Sequence, residues 1–198
     1  MVSDPARSCD DAFDERALVE RARVDADAFA ELYRRYLPQV HAFAWRRTGS
    51  REAAEDICSA TFEAVYRGLE GFRWRRGGFA PWLFRIAANQ TVAHHRREGR
   101  PRTARGQAAM ARLYEPTAEF HPDERGDDGD ADALRSALDR LPPRYQRVLA
   151  LKYLAGLDPD ETARAMGGSK ASTAVVASRA LKALRRELRN GTTRGEAP

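Results

Sequence analysis

Apolar positions recur along this chain at helical spacing in separate blocks, and no useful length of it alternates with the period of two that a half-buried strand needs. The first block runs from Ala17 to Phe43 after a polar lead of about a dozen residues, with Phe29, Leu32, Tyr33, Tyr36 and Val40 on one side. Pro38 should kink this stretch without ending it. The clearest helix follows from a Ser50/Glu52 start: Ala54, Ile57, Cys58, Thr61, Phe62, Val65 and Leu69 step by threes and fours, and Glu55, Asp56, Glu63 and Arg67 fall on the far face. Gly68, Gly71, Gly77 and Gly78 then bracket a loop, Phe72-Arg73-Trp74-Arg75-Arg76. A third helix buries Phe79, Trp82, Leu83, Ile86 and Ala87, leaving Arg85, Asn89, His95 and Arg96 elsewhere.

Periodicity disappears from Glu98 to about Asp130, where Gly, Pro and charge accumulate. It resumes with Leu134, Ala137, Leu138 and Leu141, breaks at Pro142-Pro143, and returns with Tyr145, Val148, Leu149 and Leu154. The expected architecture is therefore all-α. Two small helical domains are joined by a flexible acidic linker. The boundaries predicted are a disordered N-terminus over 1–13, a first domain over 14–97, the linker over 98–131, a second domain over 132–190 and a disordered tail over 191–198.

Charge sharpens this division. Lysine and arginine total 34 against 29 acids, for a net charge of +5. The imbalance is segregated, because the acids concentrate between Glu115 and Asp132 and arginines crowd both flanks. Basic surface on compact domains points to a polyanionic partner. Cys9 and Cys58 sit in no metal-ligand or disulfide spacing, and Cys58 lies on an apolar stripe, so it is expected in a core. No apolar run approaches the length of a membrane span, and the polar N-terminus is unlike a signal sequence, which predicts a soluble, cytoplasmic protein with no membrane insertion. Phosphate-binding glycine loops, nucleophile elbows and convergent carboxylate pairs are all missing, so neither catalysis nor a cofactor or metal is expected.

The most informative segment runs from Leu157 to Ser169. Asp158 is placed to cap a helix, Pro159 suits its first position, and Glu161 completes a capping box. Gly167 and Gly168 allow a left-handed turn, and Ser169 caps the next helix. On that helix Thr173, Ala177, Ala180, Leu181, Leu184 and Leu188 share one side, while Ala171, Ser172, Val175, Arg179, Lys182 and Arg186 share the other. Small residues near an N-terminus with bases further along suit a major groove: Val175 and Ser172 reach base edges, and the bases reach phosphates. A helical hairpin with a solvated basic face is the plainer alternative. In the loop, Trp74 among Arg73, Arg75 and Arg76 pairs a stacking surface with positive charge, as in proteins that hold unpaired bases, although the same residues also describe a tryptophan packed on its own domain.

Taken together, AFAELYRRYLPQVHAFA, EAAEDICSATFEAVYRGLEGF and FAPWLFRIAANQTVAHHRR within residues 27–97 resemble domain 2 of the extracytoplasmic-function (ECF) sigma factors. ALDRLPPRYQRVLALKYLAGL and the helix-turn-helix that follows it, within 133–188, resemble sigma domain 4. This resemblance implies that Glu55 and Asp56, with Thr61 and Phe62, face core RNA polymerase. It implies that Arg73, Trp74, Arg75, Arg76, Arg85, Asn89 and Arg96 melt and read a minus-ten element. The helix from Ala171, with Ser172, Val175, Arg179, Lys182 and Arg186, would read a minus-35 element. Core polymerase and promoter DNA are the implied partners, and an anti-sigma factor is a third candidate. The helix start Ser169-Lys170-Ala171-Ser172-Thr173-Ala174-Val175 departs from the commoner family pattern, and Gly168 stands where an aliphatic residue is usual. From residues alone, a stand-alone DNA-binding regulator and a protein that titrates another factor remain open.

Overall fold

The computed structural model describes residues 9–75, 77–98 and 128–195. Four helices, α1 (Cys9–Arg21), α2 (Ala26–Thr48), α3 (Arg51–Gly68) and α4 (Ala80–Glu98), form the N-terminal module. Four more, α5 (Asp128–Asp139), α6 (Pro143–Leu149), α7 (Pro159–Met166) and α8 (Lys170–Gly195), form the C-terminal one. A π-helical turn, Ala150–Leu154, continues α6. No strand occurs among the described residues.

The single block expected from Ala17 to Phe43 is two helices. Asp25 takes extended backbone and its side chain accepts from the Asp27 N–H, so it starts α2 and breaks the chain from α1. Pro38 lies inside α2 on an exposed face, and it leaves one carbonyl of the preceding turn without an intrahelical amide partner. Other boundaries shift too. Backbone helix begins at Cys9 inside the segment predicted to be disordered, and α8 continues to Gly195 beyond the predicted boundary at 190. The last four positions of the predicted linker, 128–131, belong to α5, whose exposed Asp130 suits the positive end of the helix dipole. The rest of the linker, 99–127, and the ends 1–8 and 196–198 lie outside the described residues.

Packing follows the apolar stripes. Leu32, Val40 and Phe43 from α2, Ile57 and Val65 from α3, and Leu83 from α4 are fully buried. Each such side chain contributes roughly 1.5–3 kcal/mol of burial. Phe72, Phe79 and Trp82 interlock with ring centroids 4.9–5.5 Å apart and fasten the loop to the base of α4. In the C-terminal module, Leu138, Leu141, Val148, Leu149, Val176, Ala177 and Ala180 form a second core.

The two modules also pack on each other. Ala150 and Leu151 of the π-helical turn, Leu157, and Ala165 of α7 join the same apolar cluster as Val40, Leu83 and Ala87. The extra residue of the π turn is accommodated by the Ala155 N–H bonding the Ala150 carbonyl at 2.9 Å.

Candidate nucleic-acid interface

The helix-turn-helix forms as its residues require. The Asp158 carboxylate accepts from the Asp160 and Glu161 amides, both at 2.7 Å, and the Glu161 carboxylate accepts from the Asp158 amide at 3.0 Å. Gly167 turns the chain with φ of 70°. Gly168 serves differently from its neighbour: it does not adopt a positive φ, but a Cβ there would lie 3.1 Å from the Ser172 hydroxyl. Its role is close approach rather than left-handed backbone. Ser169 then caps α8 by accepting from the Ser172 amide at 3.2 Å.

On α8 the two sides separate as the periodicity requires. Thr173, Val176, Ala177 and Ala180 are buried, whereas Ala171, Ser172, Val175, Arg179, Lys182 and Arg186 are all exposed. Half of Val175 is accessible on this outer side. Arg186 lies 3.9 Å from Glu187, while Arg179 and Lys182 have no ion-pair partner among the described residues.

In the N-terminal module the candidate residues fall into three groups. Arg73 and Arg75 are exposed in the loop, Arg85, Asn89 and Arg96 are exposed along α4, and Arg76 lies outside the described residues. Trp74 is partly buried and stands edge-on to Phe72, with centroids 6.2 Å apart. It is therefore anchored to the domain while keeping part of its surface open. Asn89 accepts a hydrogen bond from Arg147 Nη1 of α6 at 3.1 Å.

The acidic face of α3 is also formed. Asp56 is exposed, and Glu55 accepts from Arg51 Nε one turn earlier at 2.9 Å. Thr61 and Phe62 require a correction: they are 0% and 3% exposed, so they pack the core and cannot touch a partner from this fold. Their position on the apolar stripe had already shown as much. Cys58 is buried, and its thiol is pushed up to about 12, first by burial and then by the nearby Glu55 charge. His41 is held below its ordinary value by burial, against an upward pull from Glu55 and with a downward push from Arg51. No group of three metal-ligating side chains occurs among the described residues.

Sequence reasoning missed Arg47 and Arg147. Arg47 is 1% exposed and donates through Nη2 to Asp139 of α5 and, at 3.0 Å, to Gln146 Oε1 of α6. One signal was available: Val40, Phe43, Ala44 and Arg47 continue a single stripe at helical spacing, which places the arginine on the inner face. Nothing in the sequence signals the Arg147–Asn89 pair, because it depends on how the modules meet.

The family described as Sigma-70 region 2 matches residues 32–101, and that described as Sigma-70, region 4 matches residues 131–184. The chain belongs to the ECF subfamily of sigma-70 factors. Among curated relatives, the ECF RNA polymerase sigma factor BldN of Streptomyces coelicolor is 35% identical over 174 residues, covering 86% of this chain and 64% of BldN. The chain thus spans less than two thirds of that relative. Two solved structures share the fold. CnrH in complex with the cytosolic domain of CnrY gives a TM-score of 0.60 at 22% identity, covering 89% of this chain and 97% of that one. The sigma factor RpoE in complex with the anti-sigma factor NepR, from Bartonella quintana, gives 0.54 at 21% identity, covering 81% and 96%.

Proposed function

We propose that this protein binds core RNA polymerase and directs it to promoters, where it opens the DNA and initiates transcription without being an enzyme itself. The observation that carries the reading is the pairing, on one chain of this family, of a capped helix-turn-helix with a base-ready outer face and a separate bundle bearing an acidic helix face and an arginine-rich loop. An ordinary helix-turn-helix regulator needs only the first. The exposed Asp56 and the partly buried Glu55 dock on polymerase. Arg73, Trp74, Arg75, Arg85, Asn89 and Arg96 hold and read the minus-ten strand, joined by Arg76. Ala171, Ser172 and Val175 meet minus-35 base edges, while Arg179, Lys182 and Arg186 meet phosphates.

This work is cytoplasmic, where polymerase and DNA are; no described helix is long and apolar enough to cross a membrane. An anti-sigma factor is a further partner, since RpoE, which shares this fold, is found in complex with one.

The deciding experiment combines purified full chain with core polymerase on genomic promoter fragments. Initiation at discrete start sites that depends on the chain is expected. Tight duplex binding without polymerase and no start-site selection would instead identify a stand-alone regulator. Strand opening is read with permanganate: Trp74→Ala should reduce reactive thymines around minus ten by about 5- to 150-fold in the opening equilibrium, the value of one stacked base. A promoter pre-melted there should recover much of the loss.

A further inference from the structure

Helix α1 and the turn that follows it touch both ends of the loop that carries Trp74. Where the loop begins, Arg23 Nη2 donates to the Phe72 carbonyl at 2.7 Å. Glu20, one turn earlier, holds the same guanidinium through Nη1 at 2.7 Å. Where the loop ends, Gly78 has a positive φ of 76°, and its N–H bonds the Arg75 carbonyl at 3.1 Å. A Cβ on Gly78 would lie 2.9 Å from Glu15 Oε2 and 4.0 Å from the Trp74 ring. Glu15, Gly78 and Trp74 therefore meet at one point, with room only for a glycine between them.

Glu15 is 8% exposed, so its carboxylate lies behind the loop and away from the side that phosphates approach. Its two oxygens have different neighbours. Oε1 accepts from the buried Tyr36 hydroxyl of α2, which fixes the direction of the carboxylate, and Oε2 is the atom against Gly78. A polar group is costly to bury, and an apolar residue would pack α1 on α2 as well. What the carboxylate adds is a rigid stop behind the glycine.

We propose that Glu15 and Arg23 are positioning residues for strand opening: they fix the loop between Phe72 and Gly78, so that the open part of Trp74 is preset for an unpaired base. This deepens the sigma reading above and rests on it. A loop left free would have to be ordered as the base enters, and the entropy of that ordering would be taken from the stacking gain. Anchoring both ends in the free protein removes that cost. Trp74 stands edge-on to the buried Phe72, and Arg23 holds the carbonyl of that same residue, so one anchor serves both ring and backbone. Neither Glu15 nor Arg23 needs to touch DNA.

The test uses holoenzyme assembled from the full chain, with Glu15→Ala and Arg23→Met each removing one anchor. Arg23 is partly buried, and methionine keeps much of its apolar stem, so Arg23→Met carries the test alone if Glu15→Ala does not fold. Glu15→Gln retains the length of the side chain and an acceptor for Tyr36. Val65→Ala is the stability control, because it opens a cavity in α3 and leaves both anchors in place. Hydrogen exchange in the free chain reads the loop, and permanganate reads opening around minus ten. Both anchor variants should exchange faster over 72–78 and lower the opening equilibrium about tenfold, inside the range of about 5- to 150-fold set by one stacked base. Core-polymerase binding should match the parent, and a promoter pre-melted at minus ten should recover most of the loss. Glu15→Gln should open promoters nearly as the parent does, and so should Val65→Ala despite a lower melting temperature. Normal opening in both anchor variants would overturn the proposal. An equal loss in Val65→Ala would also overturn it, by reducing the effect to stability. If the parent never initiates transcription with core polymerase, the sigma reading fails, and unchanged exchange over 72–78 would separately show that Glu15 and Arg23 do not fix the loop.

Discussion

Tyr36 of α2 donates its hydroxyl to the Glu15 carboxylate of α1, and both side chains are buried. The pair is a buried polar tie between α1 and α2 across the chain break at Asp25. Tyr36→Phe keeps the ring and leaves the carboxylate without its phenol, which costs about 1–3 kcal/mol. The expected outcome is a lower melting temperature for the N-terminal module, followed by circular dichroism. Hydrogen exchange should accelerate most in α1. Equal protection of α1 in parent and variant would show the bond to be dispensable.

The capping box makes a parallel prediction for the other module. Asp158→Ala removes the acceptor for two amides and should destabilise α7 by about 0.5–2 kcal/mol. Asp158→Asn retains an acceptor and should lose far less. Urea titration distinguishes them, and DNA binding by the intact holoenzyme at low temperature should survive both changes.

Charge reversal separates docking from folding on α3. Glu55→Lys together with Asp56→Lys alters only groups at the surface, and the Arg51–Glu55 pair that is lost contributes no more than about 0.5 kcal/mol. Stability should therefore hardly move, while affinity for core polymerase falls by several kcal/mol from like-charge contact. Polymerase binding equal to the parent would remove this face from the docking surface.

Arg179→Ala tests the recognition helix. Losing one phosphate contact should flatten the dependence of promoter binding on salt by about one unit of slope, equally for all sequences. Val175 substitutions should instead change the preference among minus-35 variants. A changed preference with an unchanged slope in Arg179→Ala would reverse these assignments.

Cys58 gives a pH prediction with a definite sign. Its thiol is held protonated up to about 12, against an ordinary value of 9.0, so the native state keeps a proton that the unfolded chain releases. Stability from this group is whole below about pH 9 and declines as pH rises toward 12, by up to about 1.4 kcal/mol per unit. Cys58→Ala should lose that part of the alkaline slope, and the native thiol should resist alkylation at neutral pH until the chain unfolds.

The sequence by itself determined what depends on local order. Helical stripes located α3 and α4 nearly to the residue, and Asp158, Pro159, Glu161 and Gly167 specified the turn of the C-terminal module, because caps and turns are satisfied by neighbours a few positions away. The exposed side of α8 was likewise legible, since a 100° step fixes which residues share a face. The break at Asp25 was harder to see, because apolar spacing continues across it and only a single capping carboxylate marks it. Tertiary structure decided the remainder. Thr61 and Phe62 were drawn toward a partner by family likeness and turned inward by packing, while Arg47 was drawn inward by acceptors 92 and 99 positions away. The π-helical turn and the Arg147–Asn89 bond exist only where the two modules meet. Periodicity reports which face of a helix is buried, but the identity of the surface that buries it is set by contacts between residues far apart in the chain, and these leave no local pattern.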